Sequence, residues 1–257
     1  MGALTDAKVG AFVNEHFVTS YQKVGTFKIV GNNKQGGNVA SYFCAPDGRV
    51  LHCVAGPVDA ATFLTEAKWV VDTVLAANKT SKGEGAKFKE LFRKAHAEKL
   101  LNDTGLKVEP ITWDIETTTD KDALQYKDPS GRPLAPKLPP PPIDGPDVRL
   151  SDKEFNDRQQ KANGAPGARM EACVGKGGEV RRVVVNNQAI VHQLLAAHSM
   201  QKIETMYGTV FENILGEKVS TKPVDVVRPF SWVDHDGKRL RKANTSMSRS
   251  STARSRG

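Results

Sequence analysis

Residues 41–56 read SYFCAPDGRVLHCVAG, two short apolar runs joined by Pro-Asp-Gly. Each part of that turn has a mechanism. Proline presets φ, the aspartate bonds back to the backbone, and glycine takes a positive φ. The runs on either side are β-branched and aromatic, so the stretch predicts an antiparallel hairpin. Helical patterns flank it. LTDAKVGAFVNEHFV places Val9, Phe12, Val13 and Phe17 on one stripe, with Thr5 or Asp6 as N-cap. DAATFLTEAKWVVDTVLAAN repeats the pattern with Phe63, Ala67, Val70, Val71 and Val74, capped by Asp59. Between the first helix and the hairpin, FVTSYQKVGTFKIV predicts one or two strands and GNNKQGGN (31–38) a turn-rich loop.

Beyond residue 80 the pattern changes. SKGEGAKFKELFRKAHAEKLL predicts a basic amphipathic helix over 80–101, with Phe88, Leu91, Phe92 and Ala95 on the side that docks on the first domain. Hydrophobic residues then thin out. GRPLAPKLPPPPIDGPD and KANGAPGARMEACVGKGGE make 102–180 a Pro/Gly-rich linker, mostly disordered, with Cys173 in a mobile, exposed segment. Order returns over 181–234. A short strand at 183–185 precedes a helix capped by Asn186 or Asn187. A second helix, capped by Ser199, runs from about Met200 to Gly216. Ile203, Met206, Tyr207, Val210, Phe211 and Ile214 line one greasy face of this helical hairpin, expected to meet a protein partner. RPFSWVDHDGKRL suggests a last strand or hook with Phe230 and Trp232.

Hydrophobic residues make up 39% of the 257 and the mean hydropathy is -0.44, in keeping with a chain that is only partly packed. The formal charge of +8 is concentrated at the C-terminus. Residues 235–257 hold seven Lys/Arg against Asp236, a net +6, leaving +2 for the first 234 residues. Lys238, Arg239, Arg241 and Lys242 of this basic tail are candidate anionic contacts. No apolar run of about 18 residues is present, so no membrane span is expected. The first residues lack the layout of a signal peptide, which places the product in the cytoplasm. Cys44, Cys53 and Cys173 have neither zinc-site nor disulfide-framework spacing. The six histidines, 16, 52, 96, 192, 198 and 235, are scattered, so no metal site is expected. No P-loop, GxGxxG or nucleophile elbow occurs, and no cofactor is assigned.

Helix, strand, glycine loop, strand, tight turn, strand, helix is the element order of the C-terminal part of a thioredoxin fold. VASYFCAPDGRVLHCVAGPVDAATFLTEAKWVVD resembles the hairpin and last helix of the thioredoxin-like family. LTDAKVGAFVNEHFV is similar to the helix that follows the active site in its bacterial members. The resemblance covers residues 3–78 and implies an α/β fold. An incomplete thioredoxin-like sandwich over 1–79 is expected to precede the linker and the C-terminal helical hairpin. It departs from the family pattern twice. No CxxC precedes Leu4, and the family's cis-proline position carries Val39, where a cis bond would cost several kcal/mol.

Cys44 and Cys53 are the remaining candidate redox thiols. With Pro46-Asp47-Gly48 as a three-residue loop, Cys44 faces Val50, Ser41 faces Cys53, and the two thiols fall on opposite faces. With a two-residue loop they share a face diagonally, about 7–8 Å apart, at or beyond disulfide reach. Both are read as buried apolar residues. The expected function is a redox-inactive interaction or scaffold module. The alternative is a thiol–disulfide oxidoreductase relative whose CxxC-bearing N-terminus, with a signal for export, is missing from this sequence. A third reading has the tail binding nucleic acid or another anionic surface.

Overall fold

The computed structural model describes residues 2–24, 27–30, 33–35, 37–110, 138, 140–147, 149–175, 177–217, 219 and 225–227. The elements in chain order are α1 (Ala7–His16), β1 (Lys28–Val30), β2 (Asn33–Gln35), β3 (Ala40–Cys44), β4 (Val50–Ala55), α2 (Ala60–Ser81) and α3 (Gly85–Thr104). They continue with β5 (Leu106–Lys107), β6 (Gly145–Pro146), α4 (Asp152–Asn163), β7 (Arg169–Val174), β8 (Val180–Val185), α5 (Asn187–Ala197), α6 (Ile203–Thr209) and β9 (Asp225–Val227). The fold is thus mixed helix and strand, and it divides into two units. The smaller holds a three-stranded sheet in which β1 pairs antiparallel with β2 and parallel with β9. The larger holds every helix among the described residues and three two-stranded ladders, β3–β4, β5–β6 and β7–β8.

The predicted hairpin forms. Gly48 sits at φ +82, its N–H donates to Ala45 O at 2.9 Å, and Ala45 N–H donates to Arg49 O at 2.8 Å. This is the three-residue loop. All six residues of β4 are buried, and the strand serves two cores at once. Val50, Cys53 and Ala55 pack with α5, whereas Leu51 and Val54 pack with Val9, Phe63, Val70 and Phe92 from α1, α2 and α3. A strand covered on both faces needs no polar alternation. Side-chain caps set the helix starts. Asp6 accepts from Lys8 and Val9, Asp59 from Thr62, and Asn186 from Ala189. Ser199 caps nothing, since α6 begins at Ile203 behind Lys202.

Several expectations are corrected here. The β3–β4 ladder carries two strands and no strand lies at 17–24, so the described residues show mixed helix and strand with small sheets, compatible with an α/β fold. Residues 33–35 pair as β2, where a glycine-rich loop is expected. The segment read as linker is built into the fold in its described part. Leu138 and Ile143 are buried in the α5 core, and α4 and the β7–β8 hairpin follow. Cys173 is 1% exposed, a core residue on β7 and not part of a mobile segment. The linker reading rested on the shortage of apolar residues, but α4 docks by hydrogen bonds. The Gln159 amide donates to Thr104 O at 2.9 Å and accepts from Val184 N–H at 2.8 Å, while Arg158 donates to Leu101 O. A capping box starts this helix, Ser151 Oγ accepting from Glu154 N–H and Glu154 Oε2 from Ser151 N–H. Ser151→Ala should lower stability by about 1 kcal/mol in urea unfolding; an unchanged midpoint would show that docking alone holds α4.

The greasy face of 203–214 has its partner inside this chain. Met206, Val210 and Ile214 are buried in the α5 core and Phe211 is also buried, with Ile203 packed alongside and Tyr207 partly buried. This face is therefore not free for a protein partner. No helix among the described residues is long and apolar enough to cross a membrane. His235, Phe230, Trp232 and the basic residues Lys238, Arg239, Arg241 and Lys242 lie outside the described residues.

Candidate metal centre

Four elements bring polar side chains to one buried point. On α3, Phe92, His96, Leu100 and Thr104 recur every fourth residue and form its buried line, so His96 points inward with the apolar residues. On α2, Phe63, Glu66, Ala67 and Val70 do the same at helical spacing and carry Glu66 inside. His52 sits on the doubly covered strand β4, and His192 on α5, where every residue but Gln188 is buried. His52, His96 and His192 are each at most 1% exposed, and Glu66 is 5% exposed.

One ring nitrogen from each of the three histidines lies within 4.8 Å of the others. The closest pair is His96 Nδ1 and His192 Nδ1 at 2.9 Å. Trp69 stands against all three rings, with centroids 5.0–5.2 Å away. The outer nitrogens meet acceptors. His96 Nε2 donates to Leu51 O at 2.9 Å, and His52 Nε2 lies 3.1 Å from Glu66 Oε2. His192 Nε2 lies 3.7 Å from the same oxygen. Burial holds the His52 ring neutral, lowering its pKa to about 4 against the pull of Glu66. Burial and the neighbouring His192 push His96 well below its ordinary value. Burial would raise the Glu66 carboxyl, but the imidazoles of His192 and His52 that face it outweigh burial and hold Glu66 below the usual carboxylate range.

With all three rings neutral, protons satisfy this cluster poorly. With His96 Nε2–H committed to Leu51 O, Nδ1 of the neutral ring is bare and His192 Nδ1–H must donate to it. His192 Nε2 is then a bare nitrogen facing a carboxylate, and it has no hydrogen-bond partner. His52 Nδ1 is likewise buried without a partner, and the Gln188 amide nitrogen, 3.0 Å from His52 Nε2, is a second donor aimed at a donor. A metal ion on the inner nitrogens would resolve the conflict between neutral rings. A neutral imidazole that donates one N–H to a carbonyl or carboxylate presents its other nitrogen to an ion, the usual outer-shell arrangement of metal-bound histidine. The 2.9 Å between His96 Nδ1 and His192 Nδ1 is near the roughly 3.3 Å that would separate two ligand nitrogens of a tetrahedral ion.

Three of the six histidines expected to be scattered therefore converge. Their separation in sequence hid them, and the legible signal was a polar residue on an apolar helical stripe, at Glu66 and His96. His16 is exposed on α1, and His198 is buried after α5.

The other candidates fall elsewhere. A bulge between Phe43 and Cys44 shifts the β3–β4 register, so that Tyr42, and not Ser41, faces Cys53. Cys44, two residues on, then shares the Cys53 face, which corrects the expectation of opposite faces. Both remain free thiols packed in the α5 core. Burial, helped by Glu204 and Asp47, raises Cys44 to about 11. At pH 8 its alkylation by iodoacetamide should run roughly 100-fold slower than that of an ordinary thiol, from its thiolate fraction alone. The rate should climb about tenfold per pH unit towards pH 10; reaction at the pace of free cysteine would contradict this burial. Val39 begins the hairpin, its carbonyl accepting from Gly56 N–H at 2.8 Å, and no cis peptide bond occurs among the described residues. No protein-family model, no curated protein and no solved structure matches this chain.

Proposed function

We propose that the chain is a non-enzymatic domain organised around one enclosed divalent metal ion, with His52, His96 and His192 as ligands and Glu66 as the outer acceptor that orients His52 and His192. Zn²⁺ is the ion whose tetrahedral preference and affinity for imidazole suit this set. The observation that carries the reading is the convergence of three ring nitrogens within 4.8 Å, each ring at most 1% exposed. Its enclosure, with every ring at most 1% exposed, favours a structural role, because catalytic sites keep a coordination position open to substrate. The ion would tie β4, α2, α3 and α5 into one body, leaving the outer surface to act as a scaffold. The likeness of residues 3–78 to thioredoxin-like domains, without their CxxC, agrees with a module used for its surface.

The chain refolded with Zn²⁺ and dialysed exhaustively should retain one equivalent by elemental analysis. Co²⁺ in its place should give the intense visible bands of a tetrahedral site, and His192→Ala should lose both signals. Metal content no higher than the dialysis buffer would overturn the proposal.

A further inference from the structure

An enclosed ion needs a way in. His52, His96 and His192 are each at most 1% exposed, so solvent does not reach their rings directly. A groove of about 520 Å³ runs between α2 and α3. None of the three histidines lines it, but Trp69 does. The same indole stands against all three imidazoles, its centroid 5.0 Å from those of His52 and His96 and 5.2 Å from that of His192. One side chain therefore stands between the groove and the triad.

Trp69 differs from its polar neighbour in the groove wall. Lys99 is pinned, its Nζ 2.7 Å from Asp103 Oδ2 and 3.7 Å from Glu66 Oε1. Trp69 is half-buried and makes no hydrogen bond among the described residues. A buried indole usually anchors its N–H. This one is held by packing and ring contacts alone, and it changes rotamer without breaking a polar bond. The groove also carries charge of the right sign. Asp103 and Lys99 offset each other, whereas Asp72 and Glu98 line it with no ion pair among the described residues. A cleft of net negative charge concentrates cations at its mouth. We infer that the α2–α3 groove is the route by which the ion reaches and leaves the triad, and that Trp69 is its gate. The folded chain then loads and releases metal without unfolding, at a rate set by the turning of one indole. The inference rests on the three-histidine reading, and the test separates the two.

The chain loaded with one equivalent of Zn²⁺ is mixed with excess chromophoric chelator, and release is timed in buffer and in urea below the unfolding transition. Release through the groove should hardly respond to urea, whereas release by global unfolding rises with the full unfolding slope. Trp69→Ala should still take up one equivalent but release it roughly tenfold faster or more, with Trp69→Phe in between. Asp72→Lys combined with Glu98→Lys alters only exposed positions. It should slow loading of the folded apo chain about tenfold at low ionic strength, and the difference should close at high salt. If Trp69→Ala does not fold, Trp69→Phe and the charge variant carry the decision. Wild-type release that follows the unfolding slope, or wild-type release rates in the Trp69 variants, overturns the gate and leaves the triad standing. Wild-type loading in the charge variant overturns the groove as the route. A wild-type chain that retains no Zn²⁺ overturns both the triad and the gate.

Discussion

Saturating Zn²⁺ should raise the melting temperature of the chelator-stripped chain by about 5–10 °C. A ligand that binds only the folded state at a hundred times its Kd adds about 2.7 kcal/mol, and each kcal/mol moves the Tm of a domain this size by roughly 2–4 °C. The ligands come from β4, α3 and α5, so the unfolded chain has no preformed site and the binding energy appears as folding energy. Alanine at His52, His96 or His192 should abolish the response. His16→Ala, at an exposed position on α1, should keep it in full. Differential scanning fluorimetry with Zn²⁺ and with chelator reads all five proteins. A wild-type chain whose Tm ignores Zn²⁺ would leave the triad as a hydrogen-bonded core cluster.

Phe92→Ala should cost about 3–5 kcal/mol, the usual range for emptying a fully buried aromatic site. Phe92 is 0% exposed on the inner line of α3, its ring 5.0 Å from Phe88 and 6.3 Å from His96. It closes the core that α1, α2 and β4 share with α3, and it lies one helical turn from a proposed ligand. The lost volume therefore loosens both the packing and the helix that holds His96. Urea unfolding should show the midpoint falling without a change in slope, since the surface exposed on unfolding is nearly the same. Leu75→Ala is the counterpart. That side chain is 62% exposed on α2, and its removal should stay within about 0.5 kcal/mol. Equal effects at the two positions would contradict the assigned core.

Local features of the fold were legible because their causes are local. The Pro46-Asp47-Gly48 turn, the Asp6, Asp59 and Asn186 caps and the stripes of α2 and α3 each depend on residues within a few positions of one another. Where the decisive partner was distant, reading failed. Three such partners were the Gln159 hydrogen bonds that seat a polar helix, the residues that cover Met206 and Val210, and the bulge that turned Cys44 onto the Cys53 face. A bulge is one residue of slack, yet it reverses which side chains share a face.

The sequence by itself determined where the chain turns, which helices start where, and that no thioredoxin-type CxxC accompanies the hairpin. Only the tertiary structure decided that His52, His96 and His192 meet. His96 and His192 are 96 residues apart, and no periodicity links them. They converge because β4 is buried on both faces and must be covered by helices from both ends of the chain. The helices α2, α3 and α5 bring Glu66, His96 and His192 to that point on their apolar sides, and buried polar groups find partners in one another.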